Sequence, residues 1–255
     1  MLIDSHCHID FDELAPVAPL LARCQALGID AVVVPGVSLE HLQRPLALAK
    51  AFSMVWPSAG FHPWYLPEDK AALGVLTALA VANKDKLVAI GEAGLDKFKG
   101  PDAATQQWWL EQQLQLAIDL DKPVILHSVG RHARLVEILK QYRGIRGVIH
   151  AFSGSAEQAL AFVKLGFYLG VGGVITKAGA HKTRNAIKAV PSQHLMLETD
   201  APAMLPEGVA GEYNSPENLP FIHKALSEML QIDEKALAQI LTANTQRLFC
   251  GRETG

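Results

Sequence analysis

Eight short apolar runs recur along the chain, at 2–9, 29–35, 54–61, 87–92, 123–127, 147–152, 166–171 and 195–200, and predict β-strands. Several are continuous, such as 31–34 and 124–126, as parallel strands buried on both faces require. Longer amphipathic stretches lie between them, at 14–27, 39–52, 71–83, 105–119, 131–142, 156–165 and 182–190, and predict helices; 216–249 reads as two more. Strand–helix alternation of this kind builds βαβ units with right-handed crossovers. Eight such units in 255 residues predict an α/β fold, a (β/α)8 TIM-type barrel, with residues 1–255 as a single domain. The rival arrangement, an open doubly wound sheet, needs a glycine-rich phosphate loop after the first strand. That position holds His6, Cys7 and His8 instead. There is no linker, charge block or low-complexity segment, and Gly170-Val171-Gly172-Gly173 reads as a turn after the seventh strand.

Composition narrows the class. With 49% hydrophobic and 19% charged residues the chain is an ordinary globular one, which sets disorder aside. A net charge of −3 argues against a protein that coats long stretches of nucleic acid, though not against one that grips a strand end with a few local cations. Three cysteines without a CxxC pair exclude a disulfide framework and a cysteine-based zinc site. The opening MLIDSHCHID lacks the basic-then-apolar pattern of a signal peptide, and no apolar run reaches the ~20 residues that span a bilayer. A cytoplasmic setting is expected.

Chemistry concentrates where the apolar runs stop. His6 and His8 end the first strand, His62 follows the third, Glu92 the fourth, His127 the fifth, His150 the sixth and Asp200 the eighth. In a barrel these ends share one mouth. Imidazole and carboxylate are donors suited to a borderline divalent cation, and burying so many polar groups without a shared partner would be costly. Side chains two apart on a strand share a face, so His6 and His8 would point together and Cys7 outward into packing. A lone strand-end histidine is more often a hydrogen-bonded core residue; the argument rests on the set. His41, His194 and His223 read as surface or structural. His132 and His181 follow strands five and seven.

The strand-end residues sit in the stretches DSHCHID (4–10), GFHP (60–63), GEAGLD (91–96), PVILHS (123–128), HAFSG (150–154) and LETDAP (197–202), with GVGG (170–173) and Asn214-Ser215-Pro216 beside them. With these motifs in this order the chain resembles the TatD family of metal-dependent deoxyribonucleases in the amidohydrolase superfamily, nearest its YjjV-like bacterial branch. The resemblance implies two divalent metal ions. His6, His8 and Asp200 would bind one, His127 and His150 the other, and Glu92 would bridge them. His62 would lie near the substrate without being a ligand. Val129 and Ser215 depart from the family pattern, at places where substrate would meet the protein.

The activity then expected is hydrolysis of phosphodiester bonds by a dinuclear-metal-activated water, with DNA, as a strand or strand end, as substrate. Asp200 is the candidate to orient that water and take its proton, Glu92 to hold the metals, and His62 to donate to phosphate oxygens. Trp64 and Tyr65 would stack a base, or else pack a loop. Lys97, Lys99, Arg131, Lys177, Lys182 and Arg184 would form a cationic rim, and His132 would touch substrate; the alternative is solvated loop and helix-start charges. Trp108 and Trp109 read as helix packing. Zinc, magnesium and manganese all suit the donors. A small-molecule or aminoacyl ester or amide hydrolase would use the same site, and a non-catalytic metal-containing binding protein is the third reading. A monomer is the default.

Overall fold

Strand β2 (Ile29–Val34) reads Ile-Asp-Ala-Val-Val-Val and buries every position except Asp30, the continuous apolar run of a strand covered on both faces. The computed structural model describes residues 1–251, and each expected strand forms in it. The others are β1 (Leu2–Asp4), β3 (Val55–Ala59), β4 (Ala89–Asp96), β5 (Val124–Val129), β6 (Gly147–Ile149), β7 (Tyr168–Val171) and β8 (Leu195–Leu197). The helices are α1 (Val17–Ala26), α2 (Arg44–Ala51), α3 (Ala72–Ala82), α4 (Ala103–Asp119), α5 (His132–Leu139), α6 (Ala156–Lys164), α7 (His181–Lys188), α8 (Leu219–Leu230) and α9 (Glu234–Cys250). Eight parallel strands in chain order, with helices between them, are the (β/α)8 arrangement that the alternation predicts. Among the described residues no helix is long and apolar enough to cross a membrane.

The expected strand ends overshoot. β1 stops at Asp4, β6 at Ile149 and β8 at Leu197, so His6, His8, His150 and Asp200 all lie beyond regular strand. Their backbone groups leave the ladder for other partners: Asp200 N–H donates to His6 O, and His8 N–H to Ala201 O. β4 is instead longer than expected and runs to Asp96.

The described chain forms two compact units, Met1–Val34 with the chain from His150 onward, and Pro35–Ile149. In the first, β1 pairs β2 (Ile3 with Ala31) and β7 pairs β8 (Gly170 with Met196), while Ser5 N–H donates to Leu197 O at 2.9 Å. Helix α9 is tied to this layer by the Asn244 amide, which donates to Ser192 O and Leu195 O. Helix α6 opens with a capping box between Ser155 and Gln158.

In the second unit β3, β4, β5 and β6 pair in that order. The β4–β5 register reads Ile90 with Val124 and then Ala93 with Leu126, so β4 carries one extra residue around Gly91 and Glu92. Such a bulge re-aims a side chain. Gly91 sits at φ +144°, and a Cβ there would lie 2.6 Å from Ile125 O, so the bulge needs glycine. Helix α4 holds two loops through side chains seven residues apart on its buried face. Gln113 accepts from Phe61 N–H and donates to Phe61 O; Gln106 accepts from Asp96 N–H and donates to Lys99 O and Pro101 O. Trp109, between them, packs edge-on against Phe61 in the core.

Candidate functional site

Each unit gathers its own set of imidazole and carboxylate groups. In the first, His6, His8, His150 and Asp200 converge. His6 Nε2 lies 3.2 Å from His8 Nε2 and 3.5 Å from Asp200 Oδ1, and His8 Nε2 lies 3.7 Å from the same oxygen. The His150 ring stacks on His6 with centroids 4.0 Å apart. One donor atom each from His6, His150 and Asp200 falls within a 4.8 Å span, close enough to share one cation. The sequence reading that His6 and His8 point together holds, although the motif follows the strand rather than sitting in it. Cys7 is fully buried, its N–H bonded to Val33 O, and burial holds its thiol well above the usual range.

A buried acidic layer supports this set. Asp4 accepts from His6 N–H, Thr199 N–H and Thr199 Oγ1. Burial outweighs those bonds and raises its carboxyl to about 7. Glu198, also fully buried, accepts from Ala151 N–H and from Ser5 Oγ, and lies so close under Gly170 that a Cβ there would strike its carboxylate. Ala151 and Asp200 have φ of +44° and +56°, so a left-handed residue stands directly after His150 and at Asp200 itself. Residues in that region persist where the surroundings over-determine them, commonly at functional sites.

In the second unit His62, Glu92 and His127 meet. Glu92 Oε1 lies 3.0 Å from His62 Nε2 and 3.1 Å from His127 Nδ1, and all three residues are buried. Trp64 N–H donates to His62 Nδ1, so neutral His62 carries its proton on Nε2, facing Glu92. His127 Nε2 donates to Asp96 Oδ2 at 2.9 Å, which leaves Nδ1 for the Glu92 side. Burial opposes a charged His127, but Glu92 and Asp96 prevail and raise its pKa. Burial also opposes the Asp96 anion, while bonds from His127, Phe98, Trp64 and Lys99 prevail and lower its pKa. Asp96 was not singled out from the sequence. Its oxygens divide the work: Oδ2 takes His127 and Trp64 Nε1, and Oδ1 takes Phe98 N–H and Lys99 N–H.

The remaining expected residues are more dispersed. Trp64 is half-buried, its indole N–H fixed by Asp96 and one ring face covered by Lys99 Nζ at 4.2 Å. Lys97 is exposed on the loop after β4. Arg131 precedes α5 and lines a cleft of about 340 Å³ with Arg134, Gln106 and Gln107. His132 is buried at the start of α5 and its Nδ1 bonds Ser128 Oγ at 2.9 Å. Lys177 is exposed after the short turn Gly173–Thr176. Ser215 caps the turn Pro216–Asn218, whose Glu217 pairs with Arg23 at 2.8 Å. Asn214, buried beside it, holds the 201–216 loop by donating to Thr199 O and Met204 O. Both donor sets have the chemistry of a divalent-cation site: imidazole nitrogen beside carboxylate oxygen, mostly buried, on a well-packed frame.

The sequence model of TatD related DNase matches residues 3–250. The metal-dependent hydrolase YjjV of Escherichia coli strain K12 is 41% identical, over 97% of both chains. The 3'-5' ssDNA/RNA exonuclease TatD of Cronobacter turicensis is 34% identical over 90% of both. The crystal structure of the Escherichia coli YjjV protein, a TatD homologue, superposes with a TM-score of 0.92 at 39% identity, covering 98% of each chain. With fold, motif order and full-length similarity in agreement, this chain belongs to the TatD-related DNase family.

Proposed function

We propose that this chain is a metal-dependent hydrolase that cleaves phosphodiester bonds in single-stranded nucleic acid from a strand end. The observation that carries the reading is the pair of buried imidazole–carboxylate sets in a chain that matches the family along its length. In this proposal His6, His8, Glu92, His127, His150 and Asp200 are the side chains that would hold the divalent ions. Ions bound there would lower the pKa of water and offset charge on the scissile phosphate. Asp200 orients the attacking water and takes its proton as the water oxygen bonds to phosphorus, in line with the departing sugar oxygen. In this proposal His62 is not a ligand; its Nε2 proton, which faces Glu92 at 3.0 Å, would donate to a phosphate oxygen of the bound strand. Lys97, Arg131 and Lys177 supply positive charge for the strand. The proposal treats residues 1–255 as one barrel domain, acting as a monomer in the cytoplasm.

The test is cleavage of end-labelled single-stranded DNA by chelator-stripped protein, with magnesium, manganese or zinc added back and Glu92→Ala as control. Stepwise shortening that needs metal and vanishes in the variant is the expected result. No cleavage by folded, metal-loaded protein would overturn it and move the reading to a carbonyl ester or amide.

A further inference from the structure

The loop after β4 combines a rigid backbone with a side chain thrown into water. Phe98 is 74% exposed, as much as any large apolar residue in the described chain. Its backbone is not loose. Phe98 N–H and Lys99 N–H both donate to Asp96 Oδ1, Lys97 N–H donates to Val129 O, and Gln106 holds Lys99 O and Pro101 O. Gly130 backs the loop so closely that a Cβ there would lie 3.0 Å from Lys97 Cβ and 3.3 Å from the Phe98 ring. A single exposed apolar residue is ordinary on a surface. This one is held on a clamped loop between two lysines, and among the described residues neither lysine has an ion-pair partner. Lys97 Nζ lies 5.7 Å from the centre of the Phe98 ring, and Lys99 Nζ covers Trp64. The same carboxylate that fixes the loop also fixes His127.

An aromatic face flanked by cations is what binds a single strand without sequence preference: bases stack on the ring and phosphates meet the ammonium groups. Trp64 serves less well, because its indole is bonded and one face is taken. We infer that Phe98 is a base-stacking platform for single-stranded nucleic acid, with Lys97 and Lys99 engaging the adjoining phosphates. The inference deepens the proposed nuclease reading and moves the stacking role from Trp64 to a residue that the sequence alone did not single out.

Binding in EDTA isolates recognition from hydrolysis. The probes are a short fluorescein-labelled oligothymidylate and an abasic strand of the same length, followed by anisotropy. Phe98→Ala should weaken oligothymidylate binding about 5- to 150-fold, the range for loss of one base–aromatic stack. It should bind the abasic strand as wild type does, and Phe98→Trp should retain the wild-type affinity. Lys97→Ala should flatten the slope of log affinity against log salt by about 0.7, one phosphate contact on a single strand. Equal affinities of wild type and Phe98→Ala, equal losses on both strands, or no binding by wild type would each overturn the inference. Phe98-dependent binding without metal-dependent shortening would instead overturn only the hydrolase reading.

Discussion

Replacing Asp96 by Asn changes one oxygen to an amide nitrogen at a buried junction where both oxygens are already used. Oδ2 accepts from Trp64 Nε1 at 2.8 Å and His127 Nε2 at 2.9 Å; Oδ1 accepts from Phe98 N–H at 2.7 Å and Lys99 N–H at 3.1 Å. Whichever way the amide turns, its nitrogen faces two donors. Two bonds to a charged acceptor are lost, worth about 1.5–3 kcal/mol each, so the upper bound is roughly 3–6 kcal/mol. Water reaching the loop side reduces this, and a net loss of about 2–4 kcal/mol is expected in urea denaturation with chelator present. His127 can relieve the clash by moving its proton to Nδ1 and accepting from the amide at Nε2. That tautomer closes the nitrogen facing Glu92 to a cation. Removing a carboxylate that orients a ligating histidine typically costs 10–100-fold in metal affinity, so zinc affinity by competition with a chromophoric chelator should fall by about that factor. Affinity within twofold of wild type, together with stability within about 0.5 kcal/mol, would refute the orienting role.

Three further outcomes are expected. Gly170→Ala should lose about 1–3 kcal/mol or more in chemical denaturation, because its methyl strikes the buried Glu198 carboxylate; an unchanged midpoint would mean that this contact is not tight. Asp4 has its carboxyl raised to about 7 against an ordinary 3.8, so its stabilising contribution is complete below about 3.8 and is lost as pH rises through about 7. Asp4→Asn mimics the protonated acid, and in EDTA it should gain on wild type between those pH values by at most about 1.4 kcal/mol per pH unit; a pH-independent difference would contradict the assignment. Asp200→Asn should keep its circular dichroism and melting temperature near wild type but lose turnover by at least about 100-fold, as loss of a positioned proton acceptor does, and full activity would remove Asp200 from that role.

The sequence carried the architecture well because it is written in periodic apolar runs, and each of the eight runs became a strand. Strand ends were harder. His6, His150 and Asp200 lie within three residues of an apolar run, so the pattern extends the strands through them, whereas Asp200 N–H bonds His6 O outside any strand. The expected fourth strand takes in Gly91 but stops at Glu92, whereas β4 carries an extra residue around Gly91 and Glu92, absorbs Gly94 and continues to Asp96. The imidazoles were legible because they recur at strand ends. Asp96, Asp4 and Glu198 were not, because their partners lie 31, 195 and 47 positions away and nothing local marks the pairing. Phe98 reads as an ordinary loop residue until its exposure and its clamped backbone are seen together.

The first compact unit is discontinuous: its opening stretch holds His6 and Asp4, while Asp200 and Thr199 come only after His150, and Asp4 meets Thr199 across 195 residues. The second unit, Pro35–Ile149, is one uninterrupted segment. During synthesis His62, Glu92 and His127 therefore leave the ribosome with their whole supporting segment well before His6 can meet Asp200. The residues of one donor set are therefore all synthesised before those of the other are complete.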